Sequence, residues 1–196
     1  MNYYSLEKII ELFEEINKGR CCTDAKKPTE KSIKYINNYF GMKLPKDLIA
    51  FVNSSDKAND WFAGLGEDYQ HPTHIININR RYSNRRTKRK TGKWERDLPK
   101  NFIIINRAFD NDCDCIDLNS YNKKTGEYKI CYWHPNMSIY EIENSMKNGH
   151  TSFIEYINSY ILSWCNSFIN DKKNNGEIRE RSKEKAEKFL KILQSK

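Results

Sequence analysis

The sequence has no apolar run near the roughly 20 residues that a membrane-crossing helix requires. Its longest candidates, such as Phe102 to Ile105, are of strand length. At Met1 to Lys8 no basic leader precedes an apolar stretch, so a cytoplasmic protein without a signal peptide is expected. The six cysteines, at 21, 22, 113, 115, 131 and 165, lack the dense, regular spacing of a disulfide framework. No glycine-rich phosphate loop follows a strand, and no Ser or Cys sits in a nucleophile elbow. With four histidines and no paired motif, no acid, base and orienter can be assembled. The expectation is a chain that is not an enzyme and needs no cofactor. No internal repeat is present.

Two metal readings fail on spacing. Asp110-x-Asp112-x-Asp114 opens like a calcium loop, but Cys115 stands at the glycine position and Tyr121 where a bidentate glutamate belongs. Cys113-x-Cys115 places two sulfurs on one strand face, with Cys131 on the next strand and His134 nearby, but it is not the Cys-x-x-Cys knuckle of structural zinc. Buried thiols are the expected state, with no metal.

The chain does have aromatic bulk and positive charge. Twelve Tyr, nine Phe and four Trp in 196 residues supply enough buriable area for a globular core. The net charge of +8 is confined to one stretch. Residues 80–96 hold nine basic residues and one acid, so the rest of the chain holds 25 of each sign (34 less nine, 26 less one). Nearly free of aliphatic residues, 80–96 is expected to be a solvated loop between two strands.

Apolar periodicity orders the elements. Leu6, Ile9, Ile10 and Phe13 mark an amphipathic helix. Thr29 caps a second, with Ile33, Ile36 and Phe40 as its stripe and Gly41 at its C-terminal end. Pro45 starts a third, whose apolar face is Leu48, Ile49, Phe51 and Val52. Strands are expected at Thr73–Asn79, Asn101–Asn106, from Cys113 to Leu118, and Tyr128–His134, the last two joined as a hairpin through Gly126. Ser138 with Glu141, and Ser152 with Glu155, fit capping boxes of two further helices. Glu177–Lys196 reads as a charged C-terminal helix with a stripe of Ala186, Phe189, Leu190 and Leu193. Helices, then consecutive strands, then helices predict an α+β fold with a mainly antiparallel sheet.

Phe40-Gly41-Met42-Lys43-Leu44-Pro45 resembles the opening signature of the SUKH superfamily, which includes the yeast glucan-synthesis regulators of the Smi/Knr type. Leu98-Pro99-Lys100-Asn101-Phe102, then Asp112 to Leu118, Gly126 to His134, and Ser152-Phe153-Ile154-Glu155 resemble later family elements in the same order. The resemblance covers about residues 29 to 162 and implies a sheet of four to six strands flanked by helices. It implies a single domain over 1–170 with a basic insertion at 80–96, followed by the charged helix at 171–196. Two departures stand out. Asn53-Ser54-Ser55-Asp56 replaces an Asn-Gly-Gly stretch, and Phe109-Asp110-Asn111-Asp112 replaces a glycine-rich turn.

Bacterial members of that superfamily are typically immunity proteins that bind and neutralise a cognate toxin, so the resemblance implies a protein toxin as partner. Arg85, Arg86, Lys88, Arg89, Lys90, Trp94 and Tyr69 are the candidate partner-binding residues. Trp61 is a further candidate that fits a core equally well. The competing reading is a nucleic-acid-binding protein in which the 80–96 cations meet phosphates while Tyr82 and Trp94 stack on bases. The plainest alternative is a solvated insertion with no partner.

Overall fold

A computed structural model describes residues 3–18, 28–54, 58, 73–83, 97–107, 112–169 and 177–195. Among these are seven helices and one three-stranded sheet. In chain order the elements are α1 (Leu6–Asn17), α2 (Glu30–Phe40), α3 (Lys46–Ser54), α4 (Thr73–Ser83), β1 (Phe102–Arg107), β2 (Cys113–Asn122), β3 (Glu127–Trp133), α5 (Ile139–Asn148), α6 (Phe153–Ile169) and α7 (Glu177–Gln194). The chain divides into two compact units, one comprising Met1–Cys21 with Ile154–Lys196 and the other Cys22–Phe153.

In the Cys22–Phe153 unit the turn from α2 to α3 is fixed by local chemistry. The Thr29 hydroxyl accepts from the Ser32 N–H at 3.1 Å and caps α2. Gly41 ends the helix at φ 65°, ψ 28°, the left-handed conformation that only glycine adopts without a steric penalty. Asn37 then holds the turn twice. Its carbonyl accepts from the Met42 N–H at 3.0 Å and its side chain from the Leu44 N–H at 2.9 Å. Leu44 is thereby buried, followed by Leu48, Phe51 and Val52 of α3.

β2 is the centre of the antiparallel sheet, in the order β1-β2-β3. The register places Ile103, Ile116 and Ile130 in one row and Ile104, Cys115 and Cys131 in the next, with an irregularity after Ile104. Phe102 to Ile105 are all buried, as expected for a strand covered on both faces. One face packs Phe102, Ile104, Cys113, Cys115, Cys131 and Trp133 against Ile78, Tyr82 and Leu98.

The expected strand at Thr73–Asn79 is instead the first part of helix α4, and the sheet has three strands rather than four to six. Ile75, which interrupts an alternating pattern, belongs with Ile78 and Tyr82 to a helical stripe at i, i+3 and i+7, and all three are buried. Asn79 on the same helix covers the β1 edge. Its side-chain oxygen accepts from the Ile104 N–H at 2.9 Å, and its amide donates to the Ile104 carbonyl at 3.2 Å and the Ile75 carbonyl at 2.8 Å. A side chain thus makes the two hydrogen bonds that a neighbouring strand would make.

The β3 edge is covered by backbone. The Ile130 N–H donates to the His150 carbonyl at 2.8 Å, and the Ile130 carbonyl accepts from the His150 N–H at 2.9 Å. Gly149 makes this approach feasible, since a Cβ there would lie 2.8 Å from both the Cys131 sulfur and the Ile130 carbonyl oxygen. His150 is half-buried in this bridge.

In the other unit α7 packs on α1. Ile9, Leu12, Phe13 and Ile16 form the buried stripe of α1, one turn further along than expected from Leu6. Phe189 of α7 is fully buried and meets Phe168 edge-on, with ring centroids 5.8 Å apart. Lys185 donates to the Ile16 carbonyl at 3.1 Å, and Lys188 pairs with Glu15 at 3.3 Å. Leu190, assigned to the stripe from sequence, is exposed. The buried Asn158 pins the N-terminal segment, accepting from the Tyr4 N–H at 2.8 Å and donating to its carbonyl at 3.1 Å.

Candidate partner-binding face

Arg85, Arg86, Lys88, Arg89, Lys90, Trp94 and Tyr69 all lie outside the described residues, as does Trp61. The two ends of the basic stretch are described, and they correct part of the expectation. Residues 80–83 are the last turn of α4, not a loop. Tyr82 is fully buried, edge-on to Trp133 at 5.7 Å, so it cannot stack on a base. Its carbonyl accepts from the Leu98 N–H at 2.9 Å, which ties the two ends together on the core. The described residues on either side of 84–96 are therefore held together between α4 and β1.

On the same unit, α2 carries two tyrosines on its outer face. Tyr35 is 50% exposed and Tyr39 42%, one helical turn apart. A hollow flanks each side of this helix. The first, of about 1050 Å³, lies between α2, the Gly41 turn and the β2–β3 hairpin. Tyr121 and Tyr128 wall it with ring centroids 4.8 Å apart, Tyr121 being exposed and Tyr128 buried. Burial pushes the Tyr128 hydroxyl up, the neighbouring Tyr121 adds to this, and the Lys43 N–H opposes it. The phenol therefore stays protonated at neutral pH. The signature turn at Gly41 and Lys43 thus meets the hairpin at this hollow.

The second hollow, of about 310 Å³, is floored by Phe40, Phe102, Ile103 and Leu118. Arg80 and Lys100 stand at it, both exposed. The Arg80 Nε donates to the Tyr39 hydroxyl at 2.9 Å, and the guanidinium carbon lies 5.3 Å from the Tyr39 ring centroid. Among the described residues lining the two hollows, Glu30 is the one carboxylate, against Lys34, Lys43, Arg80 and Lys100. This face is cationic and aromatic even without the 84–96 stretch.

The groups that suggested chemistry have structural partners. Asp112 accepts from the Tyr132 hydroxyl, and Asp114 from the Asn106 amide at 3.0 Å; Asp110 lies outside the described residues. Cys113, Cys115, Cys131 and Cys165 are buried. Burial pushes the Cys131 and Cys165 thiols up to about 11 each, and Cys115 well above its ordinary value, with Cys113, Asp114 and Cys131 adding to the effect there. Such thiols stay protonated and are poor nucleophiles or metal ligands at neutral pH. His134 accepts from the Asn136 N–H through Nδ1 at 3.1 Å. No group of three or more His, Cys, Asp and Glu side chains among the described residues is placed to hold a metal ion. None of the described helices is long and apolar enough to cross a membrane.

Sequence reading missed Tyr35, Tyr39 and Arg80 as a set. The signal for the tyrosines was present, because two aromatics at i and i+4 lie away from the Ile33, Ile36 and Phe40 stripe. A search of curated proteins gives no match to the chain. The family model for the SMI1 / KNR4 family (SUKH-1) matches residues 27–159, about two-thirds of the chain. The matched span carries the Thr29 cap, the Gly41 turn with its buried Leu44, all three strands and the start of α6. The chain therefore belongs to the SMI1 / KNR4 family (SUKH-1).

Proposed function

We propose that this chain is a bacterial, cytoplasmic immunity protein that binds a cognate toxin and neutralises it by covering the toxin's active surface. The observation that carries the reading is the α2 face, where exposed tyrosines stand between two hollows and cations outnumber carboxylates. Tyrosine and arginine are the side chains that most often anchor protein interfaces. Occlusion needs shape and charge complementarity and no catalytic group. The buried, protonated thiols and the internally bonded aspartates agree with a binding rather than a chemical role.

The partner is a protein with an acidic surface. Arg85, Arg86, Lys88, Arg89 and Lys90 steer its approach, with Trp94 and Tyr69 as contact residues. The nucleic-acid reading retains the basic stretch but loses Tyr82 as a stacking group. The test is capture of partners from the native cell with the full chain as bait, followed by co-expression of the captured protein. One large partner with a C-terminal toxic domain, whose lethality the chain abolishes, is expected. Recovery of ribosomes or RNA alone would overturn the proposal.

A further inference from the structure

The second hollow holds a guanidinium already set in place. Arg80 is fixed from one side by the Tyr39 hydroxyl, which takes its Nε–H at 2.9 Å, and by the ring 5.3 Å from its central carbon. A guanidinium carries five N–H donors in a planar fork, and only Nε is occupied; among the described residues its terminal nitrogens have no acceptor. Lys100, across the hollow, has no ion pair among those residues either. Among the described residues no carboxylate lines the hollow, and its floor of Phe40, Phe102, Ile103 and Leu118 is apolar.

We infer that this hollow is an anchor site for a carboxylate side chain of the partner protein, above all a glutamate. The carboxylate accepts a bidentate pair of bonds from the Arg80 terminal nitrogens, with Lys100 adding a second charge. The glutamate methylenes rest on the apolar floor. A phosphodiester fits less well, because its charge sits on a polar backbone with no apolar stem to bury. Holding the guanidinium in advance lowers the ordering cost of binding, so Tyr39 acts as a positioning residue. The inference rests on the protein-partner reading and gives it a chemical address.

The test uses the full chain, labelled with ¹⁵N, and three probes: N-acetyl-glutamate amide, its glutamine counterpart and a single-stranded RNA oligonucleotide. The glutamate probe should produce saturable amide shifts clustered at Tyr39, Arg80, Ser83 and Lys100, and the glutamine probe none. Arg80→Gln should abolish the response while leaving the rest of the spectrum in place. Arg80→Lys, which keeps the charge and loses the fork, should weaken it several-fold, and Tyr39→Phe should weaken it less. Absence of a saturable response to the glutamate probe, an equal response to glutamine, or a response at these residues to RNA alone would overturn the inference. Once a toxin is in hand, an Arg80→Gln variant that binds it with unchanged kinetics overturns the anchor and leaves the immunity reading standing. Conversely, a chain that takes the glutamate probe at Arg80 but protects against no toxin keeps the anchor and defeats that reading.

Discussion

Replacing Asn79 with leucine tests how the β1 edge is held. The change leaves the shape of the side chain nearly intact and removes the donor and acceptor that serve Ile104. Asn79 and Ile104 are both buried, so water cannot take over. Two orphaned backbone groups at about 2 kcal/mol each cost about 4 kcal/mol. Burying the leucine side chain returns about 2 kcal/mol, which leaves a net loss of about 2 kcal/mol. The Ile75 carbonyl enters the sum weakly, because it remains within the α4 helix. Urea denaturation followed by tryptophan fluorescence measures the loss, and hydrogen exchange should show the Ile104 amide losing protection ahead of its neighbours. Asn79→Asp adds a pH signature. The introduced carboxyl faces the Ile104 carbonyl in a buried site, so its folded pKa rises above its unfolded value. Its favourable contribution is complete below the unfolded pKa and is lost as pH rises through the folded pKa. That variant should approach the parent in acid and fall behind near neutrality. A leucine variant within about 0.5 kcal/mol of the parent, or unchanged exchange at Ile104, would refute the edge-capping account.

Gly41→Val should cost more than about 1 kcal/mol, while Gly41→Asn should cost less; among the described residues beyond its chain neighbours no atom lies within 4 Å of an added Cβ, so the penalty is one of backbone conformation and a melting curve reads it directly. Gly149→Ala should cost about 1–3 kcal/mol by thermal denaturation, because its Cβ would press on the Ile130 carbonyl and the Cys131 sulfur. The Glu127 carboxyl is pushed up by burial first and by Asp47, against the stabilising Phe153 N–H, so its folded pKa exceeds the unfolded one. Stability from this group is therefore present in acid and lost as pH rises through the folded pKa; Glu127→Gln should melt higher than the parent at neutral pH, with the gap closing in acid. Charge reversal at Arg85, Arg86, Lys88, Arg89 and Lys90 should slow toxin association and flatten its salt dependence in surface plasmon resonance, with dissociation changed less.

Features written in neighbouring residues could be read without a structure. The Thr29 cap, the left-handed Gly41 and the Ser138–Glu141 capping box, with reciprocal bonds at 3.2 and 2.6 Å, each depend on a few consecutive positions. Helix α4 could not be read this way. Three isoleucines in Thr73–Asn79 favour a strand by local preference, and tertiary packing of Ile75, Ile78 and Tyr82 overrides it. The buried asparagine that completes the picture bonds to a residue 25 positions away. The Arg80 site is long-range in the same way, since Tyr39 lies 41 positions from the cation it orients. In the linear sequence Arg80 is one more charge in a basic run.

The occupied sheet edges limit how this chain can meet others. The Phe102 N–H turns to the Pro99 carbonyl at 2.9 Å, Ile104 is taken by Asn79, and Ile130 by His150. An incoming strand, from a target or from a second copy of the chain, meets an interrupted row of bonding groups on either side. At these positions of the described sheet, recognition by strand addition is obstructed, and so is the edge-to-edge pairing that leads to fibrils. Specificity is left to side chains on helices and turns, where residues can change from one lineage to the next without reopening a path to aggregation.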